Sequence, residues 1–228
     1  MVRLLASVAH LEEAEAVVGL GVDILDLKNP NEGALGAWSC DDVRIAVDAL
    51  KGQVLSATIG DLPMRPNLIV SAVRAMALCR VHYVKLGFFP GDPWGPVLAA
   101  VKQLDLYEVH LVAVLLADHP LDLAVIRTLK ESGFSGVMLD TADKSKGSLR
   151  HGRSDNFIGA FVEEAHAHSL LCGLAGSLTL ADIEPLSRLG PDYLGFRGAL
   201  CDGGRTQRLN PSRLMTLKAE MERLTDAL

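Results

Sequence analysis

Three lysines stand at or just past the ends of three separate apolar runs: Lys28 after residues 22–27, Lys85 after residues 81–84, and Lys144 just beyond residues 137–140. An amine held at a strand end and aimed into a pocket works as a nucleophile or a base rather than as a solvated surface charge. Acids accompany them. In Asp26-Leu27-Lys28 the period-two alternation of an extended chain puts the carboxylate and the amine on one side. Asp140 closes the third run, four residues before Lys144. Two acids and three amines around one cavity could hold a carbonyl as an iminium, remove a proton from the adjacent carbon, and pass protons to hydroxyls that leave as water. Clustered amines repel one another and burial disfavours their charged form, so at least one lysine should have a lowered pKa. The competing reading is an ion-pair network that merely closes a core, since buried charges are tolerated when paired.

The elements that must position these side chains follow from apolar periodicity. Strand-length runs fall near 3–8, 22–27, 54–59, 81–86, 109–114, 135–139, 170–174 and 192–196, and amphipathic helical patterns near 11–19, 41–50, 67–79, 95–103, 121–131, 155–168, 180–188 and 211–226. Asn210-Pro211 has the form of an N-cap followed by a first-turn proline, and Thr179 with Asp182 has capping-box spacing. Gly21, Gly133 and Gly190 fall where a helix hands over to a strand. The strands are nearly all-apolar, as parallel strands covered on both faces must be. Eight strand–helix units in 228 residues predict a single-domain (β/α)₈ TIM barrel. A doubly wound open sheet is the alternative, but no glycine-rich dinucleotide turn follows the first strand. Long loops follow strand two (28–40) and strand six (140–154), on the face where barrels bind substrates.

That face carries a second signal. Gly176-Ser177 follows strand seven, and Arg197-Gly198 follows strand eight. Small residues there let backbone N–H groups approach an anion, with Arg197 as a phosphate clamp; each turn alone fits tight backbone geometry equally well. Lys146, Arg150, His151 and Arg153, and further on Arg205 and Arg208, fit either a phosphate-seeking lid or a solvated loop. His166 and His168 lie two apart on a predicted helix and diverge, and no metal-ligand constellation is evident.

Composition limits the partners. A 49% hydrophobic chain with net charge −6 can bury a large core and is poorly suited to nucleic acid or an anionic membrane. Cys40, Cys79, Cys172 and Cys201 lack metal or disulfide spacing and fit reduced thiols in the cytoplasm. The apolar start of the chain is short and meets Glu12, Glu13 and Glu15, which reads as a strand entering a helix rather than a signal sequence. Self-association into a homo-oligomer is a default expectation for a barrel of this size.

The stretches Asp26–Gly36, Ser56–Asp61, Tyr83–Gly87, Met138–Lys144, Leu174–Leu178 and Gly195–Ala199 resemble the (5-formylfuran-3-yl)methyl phosphate synthase family. The resemblance spans essentially the whole barrel, and the lysine-bearing stretch after strand two is its most specific part. It implies that two molecules of glyceraldehyde 3-phosphate are joined and dehydrated, with loss of one phosphate, to give the furan precursor of methanofuran-type carriers without a cofactor. It further implies Lys28 as the Schiff-base residue and Lys85 as the proton acceptor, with Asp26, Asp140 and Lys144 completing the site.

Overall fold

Runs of Val, Ile and Leu without polar alternation are stable as strands only where both faces are covered. In the computed structural model, which describes residues 1–225, they form β1 (Arg3–Val8), β2 (Ile24–Leu27), β3 (Leu55–Thr58), β4 (Tyr83–Phe88), β5 (His110–Leu116), β6 (Gly136–Asp140), β7 (Leu171–Leu174) and β8 (Tyr193–Phe196). All pairings are parallel, each strand pairs with its neighbour in the chain, and β8 returns to β1, so the sheet is a closed barrel. Outside it lie α1 (Leu11–Val17), α2 (Cys40–Ala49), α3 (Pro66–Ala77), α4 (Gly95–Val101), α5 (Val125–Glu131), α6 (Leu149–Gly152), α7 (Asp155–Ala167), α8 (Leu180–Ser187) and α9 (Pro211–Thr225). Among the described residues no helix is long and apolar enough to cross a membrane.

The local signals act as their chemistry requires. Asp182 accepts the Thr179 N–H and hydroxyl at 2.8 and 2.9 Å, and Asn210 Oδ1 accepts the Ser212 N–H at 2.9 Å. Gly21, Gly133 and Gly190 all have positive φ, between 75 and 91°, as a left-handed helix end requires.

Three differences from the sequence expectation matter. β4 continues to Phe88, so Lys85 is its third residue and sits inside the barrel rather than at its rim. The fifth helix starts at Val125 rather than 121, because Asp122 Oδ1 accepts the Ala124 N–H and makes a turn instead. The loop after β6 is partly helical, with a 3₁₀ turn at Lys144–Lys146 and then α6. The last helix was expected to reach residue 226, which lies outside the described residues.

Two apolar cores result. The larger fills the layer between sheet and helices, where each fully buried Leu or Val contributes about 1.5–3 kcal/mol. The smaller lies inside the barrel and is built from Leu5, Ile24, Leu35, Val112, Val114, Met138, Ala175 and Tyr193. Tyr193 fits there only because its neighbour is Gly173, where a Cβ would stand 2.1 Å from the ring. Leu5, Ile24 and Met138 each stand two residues before an inward-facing polar group, Ser7, Asp26 and Asp140, which therefore rest on an apolar layer, while Leu35 and Ala175 join the cluster from beyond the ends of β2 and β7.

Candidate active site

Strand register assembles the first half of the site. Ser7, Asp26 and Ser56 are aligned across β1, β2 and β3, which puts two hydroxyls beside one carboxylate. Asp26 Oδ2 accepts from Ser7 at 2.8 Å, and Oδ1 accepts from Ser56 at 2.7 Å and from Lys85 Nζ at 2.6 Å. Asp26 is fully buried and Lys85 is only 2% exposed. Burial pushes the Asp26 carboxyl up, but the positive charges of Lys85 and Lys28 outweigh it and hold the group below its ordinary value. Burial also dominates at Lys85: with repulsion from Lys28 it exceeds the attraction of Asp26 and draws the ammonium pKa down.

The second half hangs from β6. Asp140, its last residue, accepts the Thr141 N–H at 2.8 Å and the Lys144 ammonium on Oδ1, while Oδ2 lies 3.6 Å from Lys28 Nζ. Burial opposes ionisation of Asp140, yet Lys144 and Lys28 hold its pKa far below the usual carboxylate range. Lys144 is lowered by burial and by Lys28, against the pull of Asp140. The lowering expected of at least one amine is found at Lys85 and Lys144. Lys28 differs from both in its partners: Lys85 and Lys144 each hold a carboxylate directly, whereas the carboxylate contact of Lys28 is the longer one to Asp140.

The loops that carry these groups are pinned by carboxylates from neighbouring strand ends. Asp61, after β3, accepts the N–H groups of Ala34 and Leu35 at 2.8 and 2.6 Å, and Thr58 donates to Gly36 O at 2.9 Å. Asp118, after β5, accepts those of Ala142 and Asp143, both at 2.8 Å. Each long loop is thus tied to a strand next to its own, which fixes Lys28 and Lys144 without burying them completely.

A cavity of about 330 Å³ opens above this cluster and is bounded by its two acids and three lysines, by Arg197 and Arg205, by Gly176-Ser177 and by Gly198. Gly176 has φ 108° and Ser177 φ 47°, so the turn after β7 runs through two successive positive-φ residues, the region that favours glycine. A side chain at Gly176 would meet Thr141 at 3.0 Å, so close approach of the β6 and β7 loops requires glycine there.

Arg197 departs from the expected role of phosphate clamp. Its guanidinium donates to Arg205 O at 2.8 Å, Ser7 O at 3.2 Å, Gln207 O at 2.8 Å and both oxygens of Glu13, which leaves no N–H for a ligand. Glu13 is itself buried and also accepts the N–H groups of Ala9 and Leu209. Breaking such a pair strands a buried carboxylate. Arg197→Met should therefore cost about 3–5 kcal/mol and lower the melting temperature by roughly 10 °C, which a thermal melt measures.

The basic loop reading also resolves. Arg150 pairs with Asp155 at 2.8 Å, Arg153 donates to Ala117 O and His119 O and stacks on Phe157, and Lys146 pairs with Asp143 at 3.4 Å, so these cations brace the segment itself. Neither they nor His151, which contacts Ser148, line the cavity. Arg208 borders a separate shallow depression with His10 and Glu12. His166 and His168 each face one carboxylate, Asp192 and Glu164.

The fold alone is widely shared: phosphoribosyl anthranilate isomerase from Thermus thermophilus superposes with a TM-score of 0.69 at 16% identity, covering 97% of this chain and 99% of that one. Sequence is more selective. The family profile described as 4-HFC-P synthase matches residues 4–218. The chain belongs to that family. Among 4-HFC-P synthase relatives, the (5-formylfuran-3-yl)methyl phosphate synthase of Methanocaldococcus jannaschii is 35% identical over 88% of this chain and 91% of its own length. That of Methanobrevibacter smithii is 30% identical over the whole of both chains. The residues matched to the 4-HFC-P synthase profile include every charged group of the cavity.

Proposed function

We propose that this enzyme condenses two molecules of glyceraldehyde 3-phosphate into 4-(hydroxymethyl)-2-furancarboxaldehyde phosphate, through a Schiff base on Lys28, in the cytoplasm. The observation that carries this reading is the contrast among the three amines: Lys85 and Lys144 are bound to carboxylates, while Lys28 lines the cavity with only a 3.6 Å contact to Asp140. Four free thiols suit a reducing compartment.

In this scheme one triose phosphate isomerises to its ketone and Lys28 Nζ adds to the carbonyl, losing water to give an iminium. The iminium draws electrons from the neighbouring carbon, whose proton passes to a neutral Lys85, and the resulting enamine attacks the aldehyde of the second triose. Asp140 and Lys144, bonded to each other, can deliver and recover protons for the hydroxyls that leave. The atoms balance when one phosphate and two waters depart, and aromatisation of the ring makes the sequence favourable. Backbone N–H groups at Gly176, Ser177 and Gly198 would receive phosphate, which the surplus of positive side chains in the cavity also favours.

Incubation of the enzyme with glyceraldehyde 3-phosphate should produce furan absorbance and inorganic phosphate in equal amounts; consumption of the triose without a furan product would refute the reading. The rate should also report Lys85. A lysine that accepts a proton must be neutral, and burial lowers its pKa, so kcat/KM should rise with pH and level off below the ordinary lysine value of about 10.4. Asp26 attracts the Lys85 proton, so in Asp26→Asn this limb should move to lower pH; a pH–rate profile of the two proteins decides it.

A further inference from the structure

Arg205 lies in the segment between β8 and α9 and borders the same cavity as the three lysines. Its side chain starts beside Gly198, where a Cβ would stand 4.0 Å from that of Arg205. Among the described residues its guanidinium makes one hydrogen bond, from Nη2 to Gly33 O at 2.8 Å, and no carboxylate lies within 4.0 Å of it. Asp140 and Asp61 attract it from farther away, but Asp140 is already bonded to Lys144 and Asp61 to the backbone of the β2 loop. A half-buried guanidinium stays charged and keeps its remaining donors in a fixed planar fork. In a cavity whose carboxylates are already engaged, the complement to that fork is an anion with several oxygens in a compact array.

We propose that Arg205 is the side chain that grips the substrate's phosphate and thereby sets specificity for phosphorylated over free trioses. The inference rests on the reaction proposed above. Arg197 then has a positioning role: locked by Glu13, its Nε holds the carbonyl of Arg205 at 2.8 Å and fixes where the second arginine starts. The link to Gly33 O ties Arg205 to the loop that begins at Lys28, so the phosphate grip and the nucleophile share one support.

The test uses Arg205→Met with two readouts. Inorganic phosphate, titrated by calorimetry, should bind the variant about 10- to 100-fold more weakly than the wild type, the loss expected for charge-assisted hydrogen bonds. Borohydride trapping should show a similar loss with limiting dihydroxyacetone phosphate and a change of no more than about twofold with dihydroxyacetone, which has no phosphate to grip. Equal losses with both ligands would mean that Arg205 serves only as a latch to Gly33, and unchanged phosphate affinity, or no phosphate binding by the wild type, would likewise overturn the proposal. Arg205→Lys, which keeps a point charge but not the fork, should fall between the two and covers the case in which the methionine variant does not fold. If the wild type traps neither triose, the Schiff-base reading fails while the phosphate titration still judges Arg205.

Discussion

Lys28→Ala should reduce furan formation by about 10⁴-fold or more, because in the proposed reaction it removes the covalent nucleophile and so abolishes the route rather than slowing one step of it. The fold should survive. Lys28 lies at the rim, its one ionic contact is the 3.6 Å approach to Asp140, and Asp140 keeps Lys144 and the Thr141 N–H when it goes. Borohydride reduction in the presence of triose phosphate should add one triose phosphate, less one oxygen, to the wild-type peptide containing Lys28, and nothing to that peptide in the variant. An adduct on Lys85 or Lys144 instead would move the nucleophile. Turnover without any adduct would leave the lysines as acids, bases and electrostatic clamps alone. Circular dichroism and melting of Lys28→Ala, expected to match the wild type within about 1 kcal/mol, separate lost chemistry from lost structure.

The barrel and five of the seven charged residues around the cavity, Asp26, Lys28, Lys85, Asp140 and Lys144, were legible in the sequence for one physical reason. A strand buried on both faces tolerates almost no polar atoms, so an Asp or Lys ending such a run stands out, and topology then gathers all the strand ends on one face. Lys85 reads as a strand end in the sequence, whereas the strand runs past residue 86 through Gly87 and Phe88, and no local signal marks how far a strand extends beyond a buried charge. Ser7 and Ser56 carried a usable signal, as hydroxyls within largely apolar strands, but their value depends on register with Asp26, which only pairing reveals. The sequence favours Arg197 over Arg205 as the phosphate clamp, and the structure does not bear that preference out. Both follow β8 and both line the cavity, and what separates them is Glu13, 184 residues away from Arg197, which with three carbonyls takes up that guanidinium while Arg205 keeps free donors. Asp61 and Asp118 were equally hidden: each looks like a solvated loop acid until the backbone it caps is in place.

The other large effect lies at the Asp26–Lys85 pair, and it also decides between the two readings first open for these charges, a catalytic cluster or a network that merely closes the core. Asp26→Ala leaves the Lys85 amine buried with no carboxylate and removes the acceptor of Ser7 and Ser56, so stability should fall by about 3–5 kcal/mol. The sign against pH follows from the wild type. Its Asp26 pKa is held below the unfolded value of about 3.9, so the contribution is present above that pH and lost as pH falls through the depressed value; the variant should lack this acid-side dependence. The paired replacement Asp26→Leu with Lys85→Met takes out both charges at once. Exchanging a buried ion pair for apolar groups of similar volume is often neutral or stabilising by about 1–4 kcal/mol, and here the two orphaned hydroxyls offset part of that gain. The double variant should therefore melt well above Asp26→Ala. If the pair only closed the core, such a protein would keep its activity. If Lys85 accepts the proton, the rate should instead drop by about 10²- to 10⁴-fold in a protein that folds normally, and thermal melts beside initial rates on the same preparations distinguish the two.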